Sequence, residues 1–290
     1  MKRIERRLQK TAYKKRFAKR LGSFLASKRA LAIPVTYLIL FVSLIAIISA
    51  TYSFAVVKIG ARGASLKTSV AKQNMQALDD AVRSSAWSSG ASRVVYMDDC
   101  GGIFHTAPDS RMLAINVTDG QSFQNVVFNS SVGKVFYELE ASAEDYDGLF
   151  LRGDYRAIVN QTAFTVTQLY FNGGTEAKEL TLSYRPFVTI ATIGTSNGKP
   201  LNLIRVYVIS LNSSRSLMLT QAFYLKATTV NVETLTWQHE FNASIVSLAL
   251  KAVLDGTSSA VWLPVTSNST GAFVTLQIVV GNVNIENLEA

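Results

Sequence analysis

One cysteine, two histidines and five prolines are all that this chain of 290 residues holds of those types. A lone thiol, Cys100, excludes an internal disulfide framework. With only His105 and His239 beside it, there is too little material for a thiolate or imidazole metal cluster or for Cys/His catalysis. Also missing are G-x-S-x-G, a phosphate-cradling P-loop and a G-x-G-x-x-G dinucleotide fingerprint. No catalytic residue, cofactor or metal site is therefore expected, and the chain reads as a non-enzyme. The one enzyme chemistry left open is glycoside hydrolysis by two carboxylates facing each other across a cleft, which needs no sequence motif.

The absence with the largest consequence is local. Residues 31–57 contain no Asp, Glu, Lys, Arg or His over 27 positions. As a helix rising about 1.5 Å per residue, this run reaches roughly 40 Å, more than the ~30 Å hydrocarbon core of a bilayer. Charge of one sign is concentrated before it. Residues 1–29 hold twelve Lys or Arg and only Glu5, a net +11, so the rest of the chain carries −2 of the total +9. The basicity belongs to a leader, and the bulk of the chain offers no phosphate-binding field; no nucleic acid is expected as a partner. By the positive-inside rule the N-terminus is cytoplasmic and everything after Lys58 lies outside, in a single-pass protein of the cell membrane. Within the leader Ile4, Leu8, Phe17, Leu21 and Leu25 recur near helical spacing. It either lies on the inner leaflet, making membrane lipid its partner, or is a solvated basic tail.

What is present beyond the span divides by period. Leu66, Val70, Met75, Leu78, Val82 and Trp87 recur at three to five residues, so the helix is expected to continue outside the membrane to about Trp87, weakened at Gly60 and Gly63 and stopped by "SSGAS". From Arg93 the period becomes two. Phe164 and Val166 alternate with threonines, and Val274, Leu276, Ile278 and Val280 alternate with Thr275, Gln277 and Val279, as half-buried strands do. Asn197-Gly198, between two strand-like runs, is a hairpin signal. "ASIVSLALKAVLDG" (243–256) places Ile245, Leu248, Ala249 and Val253 on one helical face and ends in Asp-Gly, so a short helix is expected there. The expected fold is α+β: a single N-terminal transmembrane helix extended outside the membrane, then a mostly antiparallel β-sandwich with one short helix. The boundaries are 1–30 for the basic cytoplasmic leader, 31–88 for the helix and 89–290 for the extracellular β-rich domain.

Six Asn-x-Ser/Thr sequons begin at Asn116, Asn129, Asn160, Asn212, Asn242 and Asn268, all on the side assigned to the exterior, which marks them as glycosylation candidates. His239 has Glu240 beside it, but strand neighbours point to opposite faces, so the pair is not expected to converge. "YMDDCGG" sets Asp98, Asp99 and Cys100 against a glycine turn. Glu138, Glu140, Glu144, Asp145 and Asp147 are enough oxygen donors for calcium yet lack the spacing of a calcium loop, so a solvated loop is expected. Tyr137, Tyr146, Phe150 and Tyr155 nearby form either a binding patch or part of the core, with core the expectation.

The junction Lys28-Arg29-Ala30-Leu31 puts charges, a small residue and then the apolar run on the cytoplasmic side of the span. A secretory signal peptide would instead have an apolar region of about 7–15 residues and a cleavage site on the outer side. The junction resembles the class III signal peptide of archaeal type IV pilin-like proteins. That resemblance implies a leader peptidase of the prepilin type as partner, cleavage between Ala30 and Leu31, and self-association or assembly with other pilin-like subunits. Ile33-Pro34-Val35 is close to the Ser-Pro-Val that such proteins carry near the mature end, displaced by one residue, while the 30-residue leader is long for the class. "FNSSVGKVFYELE" followed by "YDGLFLRGDYRAIVNQT" resembles β-rich archaeal envelope proteins that share this start. The competing class is a permanently anchored surface receptor or adhesin that binds through its β domain.

Overall fold

The computed structural model describes residues 28–121, 123–140, 147–161, 165–173 and 177–288, with the backbone alone at 28–33 and 177. Helix α1 (Lys28–Ser85) is followed among the described residues by β1 (Ser92–Met97), β2 (Ile103–Ala107), β3 (Met112–Thr118), β4 (Gln124–Ser131), β5 (Lys134–Glu140), β6 (Phe150–Arg152), β7 (Thr167–Gly173) and β8 (Ala177–Tyr184). Then come β9 (Phe187–Ser196), β10 (Lys199–Ser210), β11 (Met218–Leu219), β12 (Phe223–Phe241), β13 (Ser247–Leu254), β14 (Thr257–Pro264) and β15 (Ala272–Leu288). The chain divides into two compact units, Met1–Gly60 and Ala61–Ala290.

In the first unit α1 carries large apolar side chains from Val35 to Ile59 that nothing covers. Two of its hydroxyls are turned back onto the helix: Ser43 Oγ donates to the Ile39 carbonyl at 2.7 Å and Thr51 Oγ1 to the Ile47 carbonyl at 2.8 Å. Such back-bonding satisfies a hydroxyl without water.

In the second unit the last turns of α1 are buried along Ala71, Met75, Leu78, Val82 and Ala86, steps of three and four that keep one face inward. Leu66 stays exposed and Trp87 is only partly covered, so the buried stripe begins later than the periodicity suggests. The helix exit is fastened to β12. Thr229 Oγ1 donates to the Ser85 carbonyl at 2.8 Å, and Gly90, at φ 79°, donates its N–H to the Thr229 carbonyl at 2.8 Å.

Among the described residues three sheets build the rest. The first has the order β1-β12-β15-β10-β9, the second β11-β2-β5-β8-β7-β6 and the third β14-β13-β3-β4. Their neighbours are antiparallel except β10 and β15, which run parallel in the middle of the first sheet. The long strands β12 and β15 serve two cores on opposite faces. Val274, Leu276, Ile278 and Val280 of β15 pack with the third sheet, whereas Val283 and Ile285 pack with α1 and the second sheet. Burial switches parity at Val280-Gly281, and β10 does the same at Val208-Ile209, where adjacent residues enter different cores. Gly281 has no room for a Cβ: one built there would lie 2.3 Å from the Ala86 carbonyl oxygen.

The helix expected at 243–256 is not formed. Ser247–Leu254 is β13, paired with β14 and β3, and Asp255-Gly256 is not a helix stop but the tip of a two-residue hairpin, with φ 47° and 79°. The run satisfies both periods, since Leu248, Leu250, Ala252 and Leu254 alternate as well as any strand. Backbone pairing on both sides decides it. The Asn197-Gly198 hairpin forms as expected, with both residues at positive φ.

Candidate functional site

At the leader junction, Lys28 to Leu31 lie at the start of α1, described by backbone alone. Pro34 stands inside the helix as its single proline. Lacking an N–H, it cannot donate to the Ala30 carbonyl four residues back, so the ladder is interrupted at the Ala30-Leu31 peptide. α1 is the one helix among the described residues long and apolar enough to cross a membrane.

The other residues singled out in the sequence do not gather into one place. Asn129, Asn160, Asn212 and Asn242 are exposed. Asn116 is half-buried on β3 with its Oδ1 shut off and without a partner. Asn268 is engaged within its own sequon: Thr270 N and Oγ1 donate to Oδ1, while Nδ2 donates to the Gly198 carbonyl at 2.7 Å. His239 and Glu240 diverge as strand neighbours do. His239 stacks on Phe123 at 4.6 Å, whereas Glu240 holds Lys199 Nζ at 2.6 Å. Cys100 is buried, and that burial pushes its thiol pKa up. Asp99 shapes the turn by accepting from Gly101 N at 2.7 Å. Of the acidic stretch, Glu138 lies 3.5 Å from His105, Glu140 lies 3.5 Å from Lys67, and Asp147 accepts from Gly173 N at 3.0 Å. Glu144, Asp145 and Tyr146 lie outside the described residues. Among the described residues no three metal-ligating side chains come together.

Two buried polar groups tie the second sheet to its surroundings. Asp79 of α1 is fully buried; its Oδ2 lies 2.5 Å from Arg152 Nη1, and its Oδ1 accepts from Thr167 Oγ1 at 2.7 Å and Tyr184 OH at 3.1 Å. Burial, then the charge of Asp79, holds the Tyr184 pKa well above the ordinary tyrosine value. Arg185 is also buried and spends its donors on Asp154 and on the carbonyls of Thr165 and Arg156. Hydrogen bonds from Arg156 and then Arg185 outweigh partial burial and keep the Asp154 carboxyl far below the usual range.

Beside these groups a cavity of about 140 Å³ opens between the second and third sheets. Its floor is Arg111, whose side chain is 8% exposed and whose backbone sits at φ 63°, in the left-handed region that non-glycine residues rarely occupy. Nη1 donates to Ser183 Oγ and Nη2 to Gln168 Oε1 at 3.2 Å. Nε lies 2.9 Å from Asp255 Oδ2, at the hairpin tip, with its N–H not aimed at that oxygen. Gln168 is itself locked, donating to the Asp154 and Arg156 carbonyls at 2.8 and 3.2 Å. The walls mix aromatic with aliphatic carbon. Phe150 and Tyr170 lie against each other, tilted, with ring centroids 5.1 Å apart; Ala157 and Leu254 complete the lining, and Tyr155 stands at the rim, 75% exposed. Burial raises the Tyr170 pKa, keeping its hydroxyl neutral. Of the four aromatics expected in the core, Tyr137 is buried there, Phe150 is half-buried and Tyr155 is not in the core at all. A wider hollow of about 450 Å³ over Leu201, Phe273, Thr275 and Gln238 is open sheet surface. Nothing in the sequence pointed to Arg111, which reaches the cavity only through pairings made at tertiary distance.

No family model, curated protein or solved structure matches this chain.

Proposed function

We propose that this chain is a non-enzymatic surface protein, made with a basic leader that is removed between Ala30 and Leu31, and that the mature protein is a pilin-like subunit of an archaeal type IV pilus-like assembly. The observation that carries the reading is the uncovered apolar surface of α1 from Val35 to Ile59. Exposed apolar area of that extent is unfavourable in water by about 25 cal/mol per Å², so it belongs against lipid or against other helices. While the leader remains, twelve cations hold the helix at the cytoplasmic surface; once it is cut, the run 31–57 keeps only the charge of its new α-amino group and is free to pass from bilayer to filament core. In this arrangement the helix spans the membrane before assembly and the β unit, working as a sandwich of layers, faces outward.

Pro34 supports the cut site on physical grounds. It leaves the Ala30 carbonyl without its helical donor, and in the mature chain it becomes the fourth residue, where a missing N–H costs no helical bond.

Sequencing the mature N-terminus tests the reading. Leu31 is expected as the first residue, and an intact Met1 on surface-exposed protein would sink it. Ala30→Leu should block cleavage while leaving orientation intact, because the leader cations remain. The uncut protein should stay membrane-bound when cells are sheared. Under the alternative, a permanent anchor for a receptor or adhesin, the same substitution changes neither mass nor retention. The aromatic-rimmed cavity beside Arg111 is the observation that favours this second reading.

A further inference from the structure

We propose that the cavity beside Arg111 binds a neutral sugar ring, a pyranose that arrives either on a glycan of this chain or from outside the molecule. The chemistry of the lining selects that class. Tyr155, exposed at the rim, offers an apolar ring on which the C–H face of a pyranose can stack, beside the Phe150–Tyr170 pair that Arg111 covers from the other side. The polar floor is balanced in charge, because the Arg111 guanidinium already faces the Asp255 carboxylate at 2.9 Å. A free anion finds its cation taken, and a divalent cation finds one carboxylate where it needs several oxygens. An alkyl ligand would cover polar groups without bonding to them, which is costly.

What the lining still offers is mixed. Arg111 Nη2 has two hydrogens and spends one on Gln168, and Thr257 and Tyr155 each bring a hydroxyl that donates and accepts. Vicinal sugar hydroxyls, each donor and acceptor, match such a set. The cavity is well below the 300–1,000 Å³ of drug-sized pockets, which suits a single ring.

The site is also preorganised. Arg111 holds positive φ, a conformation that persists in a non-glycine residue only where surroundings impose it, whereas Asp255 takes its positive φ from the hairpin tip. Gln168, which holds Arg111, is itself fixed on the Asp154 and Arg156 carbonyls, so little needs to be ordered when a ligand enters. Tyr155 has no such brace, and at 75% exposure its ring contributes little to folding.

The test uses the full chain in a detergent without a sugar head group, with methyl α-D-glucopyranoside, methyl α-D-mannopyranoside and methyl N-acetyl-β-D-glucosaminide as probes in saturation-transfer NMR and titration calorimetry. At least one glycoside should receive saturation, most strongly along one face of C–H groups. Tyr155→Ala should weaken it about two- to tenfold, the range of an aromatic contact, with no change in melting temperature. Tyr155→Phe, which keeps the ring, should bind like the parent. No transfer to any of the three glycosides, or equal binding by Tyr155→Ala, overturns the proposal. Tighter binding of methyl glucuronide than of the neutral glucoside overturns it as well. Chain made without N-glycans is titrated beside chain from its own cells: equal binding supports an external sugar, and binding only without N-glycans supports a site filled by the chain's own.

Discussion

Replacing Asp79 with alanine should destabilise the β unit. The carboxylate is fully buried and serves three partners, Arg152, Thr167 and Tyr184. Deleting it leaves two buried hydroxyls without their acceptor, at about 1–3 kcal/mol for each such group. Arg152 is not stranded, because it keeps Asp80 at 2.9 Å and its side chain is 29% exposed. The cost therefore falls near the lower end of the ~3–5 kcal/mol typical of breaking a buried ion pair. At about 2–4 °C per kcal/mol for a domain of this size, a loss of about 3 kcal/mol lowers the melting temperature by roughly 6–12 °C. Circular dichroism of the full chain in micelles measures it. Asp79→Asn keeps an oxygen for Thr167 and Tyr184 and loses only the charge, so it should fall between parent and Asp79→Ala. Asp80→Ala, at a side chain 60% exposed, should cost about 1 kcal/mol or less. The reasoning fails if Asp79→Ala melts within about 2 °C of the parent, less than the shift of a single kcal/mol, or if Asp80→Ala costs as much.

Gly281→Ala should destabilise by about 1–3 kcal/mol, as overpacking does, because its Cβ would press on the backbone oxygen of Ala86 rather than on a side chain that can turn away; thermal melts check this, with Gly60→Ala, where the Cβ meets open space, as the control. The depressed Asp154 pKa contributes stability that is complete above the unfolded-state value of about 3.9 and is lost as pH falls below it. Asp154→Asn should therefore show a shallower loss of stability than the parent between about pH 4 and pH 2, and parallel acid limbs would contradict the assignment.

The sequence alone determined the features that depend on neighbours in the chain. An uncharged run of 27 residues suffices for the helix, because every hydrogen bond in a helix is local. Asn197-Gly198 suffices for its hairpin, because positive φ is a property of those two residues. Alternation along 274–280 suffices to place its buried face, although the switch of face beyond Gly281 emerges only when α1 is seen packed against it. Tertiary structure decided the rest. Residues 243–256 fit both the helical and the strand period, and the choice went to β13 because β3 and β14 satisfy its backbone on both sides, one of them more than a hundred residues earlier in the chain. The parallel pairing of β10 with β15, the burial of Asp79 beneath Arg152, and the meeting of Arg111 with Tyr155, Gln168 and Asp255 likewise join segments remote in sequence. Local patterning carries no record of such pairings, because the energy that selects them comes from packing and hydrogen bonds that exist only once the sheets have met.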